Sequence, residues 1–122
     1  MPTAINLDTH IVIDGLLGKL RPREVRVIRR HPVGISGIVL WEISRLRQKG
    51  RITLSLDDPE FLDWLGRVTI WPVDLAVCRR LGQLDFHSDP ADELIAATSL
   101  AHQAPLLTRD SRIRSSRIVP LA

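Results

Sequence analysis

Five carboxylates recur where a strand ends or a helix begins, and they carry what chemistry this sequence offers. Asp8 directly follows an apolar run at 4–7, and Asp110 follows a second apolar run at 105–108 after a single arginine. Two strands that end in acids at the same edge of a parallel sheet bring those acids together. Asp89 and Asp92 open the amphipathic stretch that feeds the second strand, so the start of that helix faces the same edge. Asp89 reads as its N-cap, and Asp92 falls in its first turn. Glu42 is the most informative of the five. Its neighbours at i−4, i−3 and i+4 are Ile38, Val39 and Leu46, which sets a charge on or beside an apolar stripe. A buried carboxylate without a partner costs several kcal/mol or neutralises itself, so something positive is expected to meet it. With no clustered His or Cys, the set is all oxygen and selects hard cations such as Mg²⁺ or Mn²⁺. Such ions activate water and clamp the attacking and leaving oxygens of a phosphodiester during in-line displacement.

The elements that must position these residues follow from punctuation and periodicity. Strands are expected at 4–7, 33–35, 68–71 and 105–108, with a short final one at 118–119. Helices are expected at 10–17, stopped by Gly18, at 23–30, opened by Pro22 and closed by Pro32, and at 38–49, capped by Ser36 and ended by Gly50. Further helices start at Asp57-Asp58-Pro59 and run through Leu65, run from the cap Asp74 to Leu81, and run from Asp89-Pro90 to about Gln103; 111–115 forms at most one turn. In the second helix Val25 and Ile28 face inward and the arginines face out. Strands alternating with helices imply right-handed βαβ crossovers, hence an α/β fold: a three-layer α/β/α sandwich around a short, mostly parallel sheet. Ligands bind such sheets beyond the carboxyl ends of the strands, where the acids sit.

Composition bounds the rest. The 122 residues suit one domain spanning 1–122, and 44% hydrophobic with 25% charged residues supports a proper core. The single Cys78 cannot form an intrachain disulfide and reads as a small buried hydrophobe, so a reducing cytosol fits. No apolar run is long enough to span a membrane, and Met1-Pro2-Thr3-Ala4 lacks the basic and apolar regions of a signal peptide. The net charge of +3 is almost wholly arginine, since only Lys19 and Lys49 are lysines, and arginine forks suit phosphate. Three groups are placed to meet the phosphates of a polyanion: Arg23, Arg26, Arg29 and Arg30; Arg45, Arg47 and Arg51; and Arg109, Arg112, Arg114 and Arg117. The first reads better as a solvated face, whereas the other two flank Glu42 and Asp110. Trp41, Trp64 and Trp71 lie in apolar segments and read as core or interface residues, not base-stacking platforms. His10 reads as a structural loop residue.

In order and spacing, Leu7-Asp8-Thr9-His10, Trp41-Glu42-Ile43, Asp89-Pro90-Ala91-Asp92-Glu93-Leu94-Ile95-Ala96-Ala97-Thr98 and Leu107-Thr108-Arg109-Asp110 resemble the PIN domain, specifically the VapC-type toxins of toxin–antitoxin pairs. The resemblance covers essentially the whole chain. It implies a PIN-like sheet and a cytoplasmic Mg²⁺- or Mn²⁺-dependent endoribonuclease, usually a homodimer, held inactive by a cognate antitoxin. Asp8, Glu42, Asp92 and Asp110 match the family's catalytic, metal-holding acids. Thr9 is the polar companion of Asp8, and Thr9 with Arg109 would position substrate. Apolar residues on the Trp41 and Trp64 helices are candidates for the dimer or antitoxin surface. Glu93 departs from the pattern, which commonly has arginine there, and adds negative charge near the site. A phosphoacceptor receiver domain would need a lysine at a late strand end, and none follows Lys49; a haloacid-dehalogenase-like phosphatase would need an aspartate where His10 stands. The alternative that survives is a non-catalytic RNA-binding or interaction module on the same fold.

Overall fold

The computed structural model describes residues 3–122; Met1 and Pro2, part of the stretch read above for a signal peptide, lie outside the described residues. Strand β1 is Ile5–Leu7, followed by helices α1 (Thr9–Leu16) and α2 (Pro22–Arg29) and strand β2 (Val33–Ser36). Then come α3 (Gly37–Gln48), α4 (Pro59–Leu65), β3 (Thr69–Trp71), α5 (Leu75–Arg80) with a short 3₁₀ turn at Leu81–Gln83, α6 (Pro90–His102), β4 (Leu106–Leu107) and α7 (Ser111–Arg114). The sheet runs β3-β2-β1-β4 and every pairing is parallel. Asn6 of β1 stands opposite both Gly34 and Leu106. The chain winds outward from β1 to β3 and then returns to lay β4 on the other side of β1. The strand order therefore reverses between β1 and β4, and this is where an open parallel sheet leaves a crevice at its carboxyl edge.

Alternation along β1 divides the core. Ile5 and Leu7 point to one face, while Asn6 points to the other and ties the strand to α6. Its Nδ2 donates to the Ile95 carbonyl at 3.0 Å and to Ser99 Oγ at 2.9 Å. Ala96 and Ala97 let α6 approach closely, and Ile35, Val39, Ile43, Ile95 and Leu106 complete a core with no exposure. Trp71 covers Gly34 of the neighbouring strand so closely that no Cβ fits beneath its ring, and the indole stacks on His102 at 5.1 Å. Gly18 and Gly50, both at φ 71°, stop α1 and α3 as expected. Ser36 caps α3 through Ile38 N, and Asp74 caps α5 through Val77 N.

Three readings change. The expected strand at 118–119 is a turn: the Ile118 and Val119 amides both donate to Ser116 Oγ, and Asp85 accepts from Ser116 Oγ and Arg117 N. Pairing begins two residues later, where Leu121 bridges Leu106 in parallel. Cys78 is exposed, because α5 buries only Val77 and the next position falls on the outer face. In α2, Val25 and Ile28 are only half-buried, and the buried residue is Glu24.

Candidate functional site

At the carboxyl edge, Asp8, His10, Asp14, Glu42, Asp89, Asp92, Arg109 and Asp110 line a pocket of 530 Å³. Each acid reaches it through a local device. Asp8 leaves β1 as the N-cap of α1, its Oδ1 accepting from Thr9 N at 2.8 Å and its Oδ2 from Thr108 Oγ1 at 2.6 Å. Thr108 Oγ1 in turn accepts from Asp110 N at 3.0 Å, so one hydroxyl couples the acids that end β1 and β4. Asp110 caps α7 through Ile113 N. Glu42, one turn and a half into α3, accepts a short hydrogen bond from the buried Thr9 hydroxyl. Asp92, in the first turn of α6, accepts from Ser88 Oγ at 2.9 Å. Asp89 holds the N-cap position of α6, yet its side chain makes no capping bond and lines the pocket.

The positive partner expected for Glu42 is not a side chain among the described residues. There, neither Glu42 nor Asp8, Asp89, Asp92 or Asp110 has an ion-pair partner; hydroxyls and amides hold all of them but Asp89. The Asp92 carboxyl is pushed up to about 6. Burial is the main cause, opposed by the Ser88 hydrogen bond and reinforced by the charges of Asp8, Glu42 and Asp110. A raised folded pKa favours the folded state below the unfolded pKa, and that contribution is lost as pH rises through about 6. Asp92→Asn, which still accepts from Ser88, is therefore expected to leave metal-free melting at pH 7–8 unchanged or a few degrees higher, with the advantage vanishing by about pH 4. A clear loss of stability at neutral pH would make Asp92 a helix-dipole residue and nothing more.

Arg109, expected to position substrate, lines the pocket from within a clamp of the protein's own carboxylates. Its Nε and one terminal nitrogen grip Glu24 at 2.8 and 2.6 Å, and the other terminal nitrogen binds Asp14 at 2.6 Å. These bonds use three of its five donors. Thr9 likewise spends its hydroxyl on Glu42. Glu93 accepts from Ser88 N at 3.0 Å and faces His87 at 3.9 Å, so its charge turns toward the loop before α6 and not into the pocket. The sequence reading missed Asp14, Glu24, Ser88 and the coupling role of Thr108. Glu24, three residues after Arg21 with Pro22 between, bears the one advance signal, a capping-box spacing.

Trp41 is 53% exposed with Arg45 over its ring, whereas Trp64 packs on Phe61 and Trp71 lies on the sheet. His10 is exposed on the pocket wall.

An all-parallel sheet with an acid-lined pocket at its switch point marks an α/β domain whose site lies at the carboxyl edge of the strands. The sequence signature of the PIN domain matches residues 5–117, and the chain belongs to the PIN-domain family. Over 89 residues it is 34% identical to ribonuclease VapC22 of Mycobacterium tuberculosis, covering 70% of this chain and 68% of that protein. Its fold is similar to VapBC2 from Rickettsia felis, solved bound to a promoter DNA fragment, with TM-score 0.74 and 19% identity over 98% of this chain and 97% of that one. It is similar as well to a toxin–antitoxin complex from Klebsiella pneumoniae, with TM-score 0.71 and 19% identity over 97% and 96% of the two chains.

Proposed function

We propose that this protein is a divalent-metal-dependent endoribonuclease of the VapC type, the toxin of a type II toxin–antitoxin pair. The observation that carries the reading is a pocket lined by six carboxylates, of which all but Asp14 lack an ion-pair partner among the described residues, in a PIN-domain chain related to a ribonuclease. Uncompensated negative charge in a half-buried cleft calls for a positive ion from outside. Among the described residues no three acidic or histidine groups stand close enough to enclose an ion by themselves. Mg²⁺ suits that looseness, because it keeps several waters and takes one or two carboxylates. Asp8, Glu42, Asp92 and Asp110 would hold it, and when bound it would supply the charge that acidifies water and offsets charge developing at the scissile phosphate.

The chain's own residues do the rest. Thr108 and the Thr9 amide fix the Asp8 carboxylate, Thr9 fixes Glu42 and Ser88 fixes Asp92, so the acids face the pocket with their remaining lone pairs unspent. With its carboxyl pushed up to about 6, Asp92 would hold a cation better as pH rises through that value. The partner is a cognate antitoxin, and the chain pairs with a second copy. Exposed Trp41 on α3 and Leu62 on α4 offer apolar surface on the two helices singled out for these contacts. Among the described residues no helix is long and apolar enough to cross a membrane, and a cytoplasmic site of action completes the reading.

The test is cleavage of a defined RNA pool by purified protein free of any partner. Cleavage with Mg²⁺ or Mn²⁺ and none in excess chelator is expected. Full activity in chelator would sink the metal reading, and RNA binding without cleavage under any metal would favour a non-catalytic module.

A further inference from the structure

Beside the acidic pocket lies a second concavity of opposite character. Its 240 Å³ are lined by Arg21 and Arg23 from the start of α2, by Thr108 and Arg109 after β4, by Arg114 of α7, and by Glu24. The sequence groups its arginines differently, in separate runs that begin at Arg23 and at Arg109; the fold assembles this cluster from members of two runs and from Arg21, which belonged to none. Arg109 lines both concavities and forms their common wall, and Thr108, whose hydroxyl holds Asp8, lines the basic one.

The charges in the two compartments are managed differently. Glu24 and Arg109 neutralise one another inside the shared wall. Among the described residues Arg21, Arg23 and Arg114 have no side-chain carboxylate partner. Two of them are held in place by main-chain oxygens: Arg23 donates at 2.9 Å to an oxygen of Ala122, the last residue of the sequence, and Arg114 to the Thr108 carbonyl at 3.2 Å. Each guanidinium has five N–H donors and these bonds use one apiece, so oriented donors remain in a cavity sized for a small tetrahedral anion. The acidic pocket, by contrast, repels a polyanion, and a nucleic-acid strand entering it needs a cationic handhold close by.

We propose that Arg21, Arg23 and Arg114 form a phosphate subsite that grips the RNA backbone beside the scissile bond, an assignment that rests on the ribonuclease reading. The shared wall makes the strand's path continuous, from the cavity of free guanidinium donors over the Arg109 ridge to the carboxylates. The subsite supplies binding and register and takes no part in bond cleavage, so its loss raises KM and leaves kcat nearly alone.

The experiment compares wild type, Arg21→Gln/Arg114→Gln and the charge-matched Arg29→Gln/Arg30→Gln, which removes two exposed arginines from the far end of α2. Affinity for a short labelled single-stranded RNA is measured in chelator across a salt series, and cleavage kinetics are measured with Mn²⁺. Loss of two phosphate contacts is expected to weaken binding about tenfold near 0.1 M salt and to reduce the salt slope by about 1.4, with KM rising in step and kcat within about twofold; the Arg29/Arg30 control changes far less. If wild type neither binds nor cleaves RNA, the ribonuclease reading fails and takes the subsite with it. If wild type cleaves and the double variant behaves like the control, the subsite alone is refuted. A variant that loses binding of a poly-glutamate peptide yet keeps wild-type RNA affinity assigns the groove to an acidic protein segment and overturns the proposal. Should the double variant melt early, Arg21→Glu alone, at an exposed position, is expected to move RNA affinity and salt slope in the same direction.

Discussion

Asp8→Asn is expected to lower RNA cleavage by at least about three orders of magnitude, equivalent to about 4 kcal/mol of transition-state stabilisation, while the protein stays folded. Asp8 is the acid with most ties to the rest of the site: it ends the central strand, caps α1 and shares the Thr108 hydroxyl with Asp110. The amide keeps the shape and can still accept from the Thr9 amide, so the structural cost is one altered hydrogen bond, about 1 kcal/mol. What disappears is a full negative charge that no ion pair among the described residues balances, and with it the attraction for a divalent ion. Turnover, far-ultraviolet dichroism and melting temperature measured together decide the matter. A variant retaining a tenth or more of wild-type turnover would place the reaction elsewhere.

The part of this site visible in the sequence is the part set by local rules. Asp8 and Asp110 are located once two apolar runs become parallel strands, because an acid after such a strand falls at the carboxyl edge. Asp92 follows from the Asp89-Pro90 helix start, and Glu42 from its conflict with the apolar stripe around it. Glycines at positive φ and the Ser36 and Asp74 caps fix the ends of helices without help from tertiary structure. The hidden part depends on which residues meet across the fold. Arg109 finds Glu24 across 85 positions and Asp14 across 95, and no periodicity encodes such a pairing. Helical spacing in α2 puts Val25 and Ile28 on the inner stripe, yet the half-buried Arg109 turns that inner position over to Glu24. The same blindness hides the Thr108 bridge, and it separates arginines that the structure assembles into one cavity. Strand 118–119 failed for a different reason: Ser116 offers those amides a nearer acceptor than the sheet does.

Arg109→Ala is expected to destabilise the protein by about 3 kcal/mol at neutral pH, a large share of the 5–15 kcal/mol that holds a domain of this size together. The guanidinium ties the turn after β4 to α2 through two bonds to Glu24 and to α1 through Asp14. Glu24 has a side chain only 6% exposed, and without Arg109 it keeps only the Arg21 amide. The Arg109 hydrogen bonds hold the Glu24 carboxyl down to about 2 against the upward push of burial, with the Arg21 amide and the arginine's charge assisting. A depressed carboxyl stabilises the fold above its unfolded pKa, and that contribution is lost as pH falls through the folded value. The gap between wild type and Arg109→Ala is therefore widest above about pH 4.5 and closes toward pH 2. Arg109→Lys should recover less than half of the loss, since one ammonium cannot grip Glu24 twice and reach Asp14 as well. Glu24→Gln combined with Arg109→Ala should cost less than the two single changes added together, because the second removes what the first leaves unpaired. Urea denaturation at pH 7 and pH 3 measures all of this. A gap that is the same at both pH values, or below about 1 kcal/mol at pH 7, would mean that the clamp orients the turn carrying Thr108 and Asp110 without holding the fold together.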